Sequence, residues 1–168
     1  MEVLISVASK HGSTSEIGQS IGSVLQRSGH HVTFLDPEMV DEVHTFEAVV
    51  IGSAVYAGHW MKPALQMVER FSEQLQRRSV WIFSSGPIGD PPKPEEDPVD
   101  VTGVVASTQA RSHRLFAGKL DKAKLGFAER AIVTALHAPY GDFRPWNDIE
   151  AWAEEIASAL AELPVSGA

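Results

Sequence analysis

The segment Val3-Leu4-Ile5-Ser6-Val7-Ala8 runs directly into Ser9-Lys10-His11-Gly12-Ser13-Thr14, and an amphipathic pattern begins immediately afterwards. A short, continuous apolar run is typical of a strand buried on both faces, and such strands occur mainly where helices cover a parallel sheet. The loop that follows is small, hydroxylated and basic, and it opens onto the start of a helix. Free backbone N–H groups and the helix dipole favour an anion at that position. The stretch therefore predicts a strand, a phosphate-binding loop and a helix.

Composition restricts the classes of protein to which the chain can belong. The 168 residues are 43% hydrophobic, which predicts one domain over residues 1–163 and a frayed tail over 164–168. The net charge of −8 argues against non-specific nucleic-acid binding and is compatible with basic partner proteins. The chain has no cysteine, which excludes thiolate metal sites, iron–sulfur ligation and cysteine nucleophiles. No metal site is predicted, and redox chemistry would need a bound cofactor.

Apolar runs in the chain are short. None approaches the roughly 20 residues that a membrane span needs, and residues 3–8 are too few for the core of a signal peptide. We therefore expect a cytoplasmic protein without a membrane span.

Strand and helix patterns alternate along the chain. After the first strand, further strands are predicted at His31–Leu35, Ala48–Ile51, Val80–Phe83 and Arg114–Gly118. Helices are predicted from the apolar periodicity of residues 17–25, 64–75, 101–105, 125–136 and 149–160. Asp97 is the expected N-cap of the third of these helices. This alternation predicts an α/β protein with a doubly wound parallel sheet.

Gly18 and Gly22 lie inside the first predicted helix, where each costs roughly 1 kcal/mol relative to alanine. We expect them to let this helix lie close to the sheet. Residues 89–98 combine four prolines with four acids, which predicts an exposed connection or, alternatively, a lid or docking element.

Three loops follow predicted strands and combine glycine with hydroxyl groups. They are Ser9–Thr14, Ser53–Gly58 and Ser84–Gly89. In doubly wound sheets ligands bind beyond the carboxyl ends of the strands, where the strand order reverses. Because all three loops are predicted at that edge, we expect them to form one site.

The type of ligand follows partly by elimination. The glycine spacing does not fit the dinucleotide fingerprint G-x-G-x-x-G, and no Gly-Lys-Ser/Thr triphosphate loop is present. A phosphorylatable receiver domain would need an aspartate where the third strand ends, and the chain has Ile51-Gly52-Ser53. A nucleotide with one phosphate, held by the hydroxyls of Ser9, Ser13 and Thr14, fits the first loop best.

These loops resemble the flavodoxin-like family, and in particular its branch around menaquinone-dependent protoporphyrinogen oxidase. The resemblance rests on Ala8–Thr14, Ile51–Trp60 and Asp142–Trp146, and it covers nearly the whole chain. It implies a three-layer sandwich with a five-stranded parallel sheet of order 2-1-3-4-5, and FMN as the cofactor. The cofactor-binding residues that it implies are Ser9, Lys10, His11, Gly12, Ser13 and Thr14 around the phosphate, and Ser53, Ala54, Val55, Tyr56, Ala57, Gly58, Ser84, Ser85, Gly86, Pro87 and Ile88 around the ring.

The resemblance also assigns roles around the flavin ring. Tyr56 is expected to contact the ring, and a peptide flip at Gly58 or at Tyr56-Ala57 would tune the redox potential. Residues 84–89 supply no second aromatic, so one ring face is either open to a flat substrate or covered by Trp60 or Phe143. Trp60 is expected to occupy a core position in preference to contact with the ring. For Arg144 we expect an ion pair in preference to contact with a porphyrin carboxylate.

Three functions remain open from the sequence. The first is an oxidoreductase that passes electrons from a porphyrinogen-like substrate to a quinone or another acceptor. The second is an electron carrier that serves a redox partner protein, and the third is a flavin-binding regulatory module. No catalytic side chain is assigned, because the flavin would carry the chemistry.

Overall fold

The computed structural model describes residues 1–89 and 93–164. Its strands are β1 (Glu2–Ala8), β2 (His31–Leu35), β3 (Ala48–Tyr56), β4 (His59–Trp60), β5 (Ser79–Ser85), β6 (Ser112–Phe116), β7 (Lys119–Leu120) and β8 (Gly141–Asp142). Its helices are α1 (Ser13–Arg27), α2 (Lys62–Arg70), α3 (Ser72–Leu75), α4 (Val101–Thr108), α5 (Phe127–Ala135) and α6 (Trp146–Ala161), with 3₁₀ turns at Pro37–Met39 and Lys122–Lys124.

Five strands form a parallel sheet in the order β2-β1-β3-β5-β6. The two-residue β4 only extends β3 as an antiparallel hairpin. Counting the five long strands in chain order, the arrangement is the predicted 2-1-3-4-5. The strand order reverses between β1 and β3, so a ligand is expected beyond the carboxyl ends of these two strands.

Helices cover both faces of the sheet and complete the predicted three layers. One core lies between the sheet and helices α1 and α6, and it includes Ile5, Phe83 and Trp152. The other core lies beneath α2, α3 and α4 and includes Leu4 and Ile82. Since neighbouring residues of one strand enter opposite cores, the continuous apolar runs of the central strands are explained. None of the helices in residues 1–89 and 93–164 is long and apolar enough to cross a membrane.

Helix α1 packs very closely on β1 and β2. A Cβ atom on Gly18 would lie 2.7 Å from Val7 Cγ2, and one on Gly22 would lie 2.2 Å from the Phe34 ring. Both glycines therefore permit the close packing that their position in the helix predicts.

The second predicted loop differs from expectation. Residues 52–56 continue β3, and Ala57 and Gly58 make a tight two-residue turn with φ of 50° and 80° into β4. Positive φ at both central residues is the signature of the type I′ turn, whose twist matches that of a hairpin. The predicted flexible loop is therefore a short, hydrogen-bonded β-hairpin.

Other boundaries move by a few residues. The predicted helix over residues 64–75 is divided at Phe71 into α2 and α3. The last sheet strand is 112–116, where 114–118 was predicted. Helix α4 begins after Asp100, and Asp97 is not its cap. Of the predicted loop 89–98 and tail 164–168, residues 90–92 and 165–168 lie outside the described residues.

Helix α5 is the main departure from the predicted fold. The predicted helix over residues 125–136 forms at Phe127–Ala135, but none of its residues is buried. It lies in a segment between β6 and α6 that begins and ends with the β7–β8 ribbon. In a doubly wound sheet one helix suffices to follow the last strand, and α6 takes that place.

The close packing of α1 gives a stability prediction. Replacing Gly18 with alanine should lower the free energy of unfolding by about 1–2 kcal/mol, because the new methyl group overlaps the stiff, buried Val7 side chain. Gly103 is the matched control. It lies in α4, and a Cβ there meets nothing within 4 Å, so Gly103→Ala should raise stability by about 0.5–1 kcal/mol. Urea unfolding measures both, and equal effects would show that helix propensity alone acts at Gly18.

Candidate functional site

A cleft of about 320 Å³ lies at the carboxyl edge of the sheet. Each of the three predicted loops contributes to its wall. The predicted residues on the wall are His11, Ser13 and Thr14 from the first loop, Ala54, Val55, Tyr56 and Ala57 from the second, and Ser85, Gly86 and Ile88 from the third. The strand order thus brings together three segments that are far apart in the sequence.

The first loop presents free backbone donors. Gly12 has a φ of 87°, and its N–H donates to Ser9 Oγ at 3.1 Å. Within the described part of the chain, the first backbone N–H of α1 with a backbone acceptor is that of Glu16, which donates to Gly12 at 3.0 Å. The N–H groups of residues 13–15 are therefore available to an anion beside the cleft.

Three other predicted residues of the first loop do not line the cleft. Ser9 and Gly12 shape the turn through their own hydrogen bond. Lys10 lies beside the cleft with about half of its side chain exposed, and its Nζ forms an ion pair with Glu129. These three residues therefore act on the site through loop geometry and charge.

Two predicted residues of the second loop also face away from the cleft. The Ser53 side chain is buried, donates to the Ala54 carbonyl at 2.8 Å and accepts from the Met61 N–H at 2.9 Å. The Gly58 carbonyl accepts from the Val99 N–H at 2.9 Å. A flip of that carbonyl would break this hydrogen bond.

The third loop is supported by a buried polar network. Trp60 Nε1 donates to Ser84 Oγ at 2.7 Å, and Ser84 Oγ lies 2.8 Å from His113 Nε2. His113 Nδ1 is 3.5 Å from an Asp97 carboxylate oxygen. Burial lowers the pKa of His113, partly offset by Asp97, so a neutral imidazole can accept a hydrogen bond from the Ser84 hydroxyl. Ser84 is fully buried and supports the loop without lining the cleft.

The remaining predicted ring neighbours have structural roles. As expected, Trp60 is buried in the core beneath α2, and it does not cover the cleft. Pro87 is buried, and its carbonyl accepts from the Gly118 N–H at 2.7 Å. Phe143 does not line the cleft, and its N–H donates to Gly118 at 3.0 Å. Neither aromatic residue proposed as a cover therefore occupies that position.

A fourth wall of the cleft was not predicted. It is formed by the segment from Gly118 to Ala138, which includes α5 and supplies the aliphatic side chains of Leu125, Ile132, Val133 and Leu136. Lys119, Asp121, Lys124 and Glu129 add charge to the same wall. The sequence did contain a signal for this wall, because it predicts two helices after the last strand where the fold needs one.

Glu129 connects this fourth wall to the first loop. Its carboxylate pairs with Lys10 Nζ, lies 3.3 Å from His11 Nε2 and accepts from the Gly126 N–H at 3.0 Å. The hydrogen bond from Lys10 is the main reason that the pKa of Glu129 falls to about 2. Lys124 Nζ donates to the His11 carbonyl at 3.2 Å. The segment therefore closes over the cleft through charged contacts.

Arg144 anchors the other end of the segment. Its guanidinium is buried, pairs with both carboxylate oxygens of Asp142 at 2.8 Å, and reaches Glu16 at 2.5 Å. It also donates to the Ser13 carbonyl at 3.0 Å. These hydrogen bonds lower the pKa of Asp142 and of Glu16. The expected ion pair of Arg144 is confirmed.

Comparison with known proteins identifies the family. A sequence profile described as "Flavodoxin domain" matches residues 4–143. Together with the sheet order and the three-loop cleft, this match shows that the chain belongs to the flavodoxin-domain family. A search of curated proteins gave no match.

Solved flavodoxins have the same fold. A cysteine-to-serine mutant of the Pseudomonas aeruginosa flavodoxin is 18% identical, with a TM-score of 0.64 over 96% of this chain and 99% of that chain. The Streptococcus pneumoniae flavodoxin is 17% identical, with a TM-score of 0.63 over 95% and 99%. Rubredoxin oxygen:oxidoreductase from Desulfovibrio gigas is 13% identical, with a TM-score of 0.63 over 95% of this chain and 36% of that chain. At these identities the likeness shows the fold.

The buried network at Ser84 can be tested by stability. Ser84→Ala should lower the free energy of unfolding by about 1–3 kcal/mol, because Trp60 Nε1 and His113 lose their buried partner. Ser6→Ala is the control, since Ser6 is equally buried but its hydroxyl has no hydrogen-bond partner in the described part of the chain. That change should be neutral or stabilising in urea unfolding. Equal losses in both variants would contradict the network.

Proposed function

We propose that the chain binds FMN in the cleft and acts as an electron carrier. The phosphate would lie at the first loop, where the N–H groups of residues 13–15 are free and Ser13 and Thr14 add hydroxyls. The positive end of the α1 dipole and the basic side chains of Lys10 and His11 would stabilise the negative charge of the phosphate.

The rest of the cleft suits a flat aromatic ring with polar edges. Ala54, Val55 and Ile88 supply apolar surface from the loops. Tyr56 offers its ring from the end of β3, where burial raises its pKa, with a further contribution from Glu129. The Ser85 hydroxyl is buried on the wall and has no partner in the described part of the chain. An unpaired hydroxyl at that position is explained if a ligand supplies its hydrogen bond.

The residues therefore fit FMN, and the chemistry would belong to the cofactor. When bound, FMN supplies one- and two-electron transfer through its ring. The chain would hold the phosphate at the first loop and orient the ring between the second and third loops. The Tyr56–Ala57 peptide, at the tight turn after β3, is our candidate for adjusting the potential by a flip.

The size of the closed cleft is the observation that favours a carrier. Pockets for organic ligands span about 300–1,000 Å³, and this cleft of about 320 Å³ is at the lower end. With α5 in the position that the structure shows, the cleft would accommodate one cofactor and no second flat molecule beside it. A carrier needs no substrate pocket, and the net charge of −8 favours docking to redox partners with basic surfaces.

A second candidate is a two-electron oxidoreductase of the protoporphyrinogen-oxidase-like type, with a porphyrinogen-like donor and a quinone or other acceptor. The apolar side chains of α5 support it, because Ile132 and Leu136 line the cleft yet stay largely exposed. If α5 moved away, a flat apolar substrate could meet the ring. Arg144 would not bind its carboxylates, since the guanidinium is buried and paired.

Titration with FMN tests the site. The protein should quench FMN fluorescence on binding, and Thr14→Val should weaken the affinity by roughly 1–3 kcal/mol through loss of a charge-assisted hydrogen bond. Ser15→Ala is the control, because Ser15 is in the same helical turn but not on the cleft wall. Absence of FMN binding would refute the proposed function, and a deazaflavin would then be the next ligand to titrate.

Photoreduction of the FMN-loaded protein distinguishes the two candidates. A carrier should pass through a stable one-electron state, which absorbs at visible wavelengths where the oxidised and fully reduced forms do not. An oxidoreductase should pass directly between two-electron states and be reoxidised rapidly by added menadione. Direct two-electron behaviour with rapid quinone turnover would therefore replace the carrier by the second candidate.

A further inference from the structure

The contact of Glu129 with the first loop has an unusual position. A carboxylate from α5 reaches across the mouth of the cleft and pairs with Lys10 and His11. These are the basic side chains beside the free N–H groups of α1. The carboxylate is thus an anion supplied by the chain itself, next to the place where the flavin phosphate would bind.

A phosphate and this carboxylate cannot both bind Lys10 and His11 without weakening each other's binding. His11, Ser13, Thr14 and Glu129 line the same cleft, so a phosphate held by the first loop would lie near the Glu129 carboxylate. The two anions would repel each other. Binding of either anion to Lys10 and His11 would also weaken the contact of the other anion with those side chains. Glu129 keeps its hydrogen bond from the Gly126 N–H within its own segment, so it can leave Lys10 without becoming unpaired.

The other contacts of α5 bury little surface, so the position of the helix depends on the Glu129 contact. No residue of the helix is buried, and Phe127, Ile132 and Leu136 are 92%, 59% and 72% exposed. With so little apolar burial, charged contacts to the first loop hold α5 over the cleft. Of these contacts within the described residues, only that of Glu129 uses the Lys10 and His11 side chains that a phosphate would need.

We propose that Glu129 competes with the flavin phosphate for Lys10 and His11, so that phosphate binding releases α5 from the first loop. The inference rests on the proposed binding of FMN. It makes Glu129 a specificity-determining residue, because its charge opposes FMN and has no equivalent target in riboflavin, which lacks the phosphate. In the flavin-free chain the same contact keeps α5 closed over the cleft.

The decisive experiment compares the affinities of FMN and riboflavin in wild type and in Glu129→Gln. The change removes the negative charge and keeps the size of the side chain. The ratio of the two dissociation constants should shift roughly two- to fivefold in favour of FMN, which is the range for an exposed charge pair. Glu154→Gln is the matched control, because Glu154 is exposed on α6 and forms no ion pair within the described residues. It should leave the ratio unchanged.

Two further measurements separate competition from a general effect of charge. In a Lys10→Met background the effect of Glu129→Gln on the ratio should be smaller, because the ammonium group for which the two anions compete is absent. Without flavin, hydrogen exchange of the α5 amides should be faster in Glu129→Gln than in wild type, and unchanged in Glu154→Gln. The exchange measurement does not depend on flavin binding.

The outcomes are distinguishable. An unchanged FMN-to-riboflavin ratio in Glu129→Gln, or a shift as large in Glu154→Gln, would overturn the competition while leaving the proposed function in place. Unchanged exchange of α5 would overturn its role in holding the helix closed. If wild type bound neither flavin, the proposed function and the competition would fail together, and only the exchange result would remain.

Discussion

The packing of α1 against β1 is the contact on which the rest of the site depends. Because Gly18 has no side chain, the helix approaches Val7 until a Cβ atom would be only 2.7 Å away. This approach sets the start of α1 beside Ala8, at the carboxyl edge of the sheet. The free N–H groups of the first turn are therefore fixed in direction by a packed helix. The other two loops are placed relative to them by the pairing of β1 with β3 and of β3 with β5.

Two kinds of charged contact join the segment between β6 and α6 to this edge. Arg144 is buried and has several partners, including both oxygens of Asp142, and breaking a buried, multiply paired charge is costly. Glu129 pairs with a half-exposed Lys10, and such pairs are weak and sensitive to salt. The segment is therefore held firmly at its β7–β8 base and weakly at α5. A base that stays in place while the far helix is released is the arrangement that a cover over a cleft requires.

Most of the sheet was predictable because buried parallel strands give continuous apolar runs, and β2 was predicted to the residue. The cleft was predictable from its loops, since strand order alone brings them together. The hairpin at Ala57 was missed because Ser53 and Tyr56 do not continue the apolar run, although β3 pairs through them. Helix α5 itself was predicted, but its place beside the cleft was not. Its apolar periodicity has the same spacing as that of a core helix, and periodicity shows that a helix has an apolar face without showing what covers that face.

The whole chain is acidic, whereas the charges at the cleft nearly balance. The net charge is −8, yet Lys10, Lys119 and Lys124 lie at or beside the cleft together with Glu16, Asp121 and Glu129. At physiological ionic strength, exposed charges more than about 8 Å apart are largely screened. An acid within the screening length acts directly, and Glu129 meets that condition for Lys10 and His11. A single side chain at the mouth of the cleft can for this reason oppose an anion more effectively than the overall charge of the molecule.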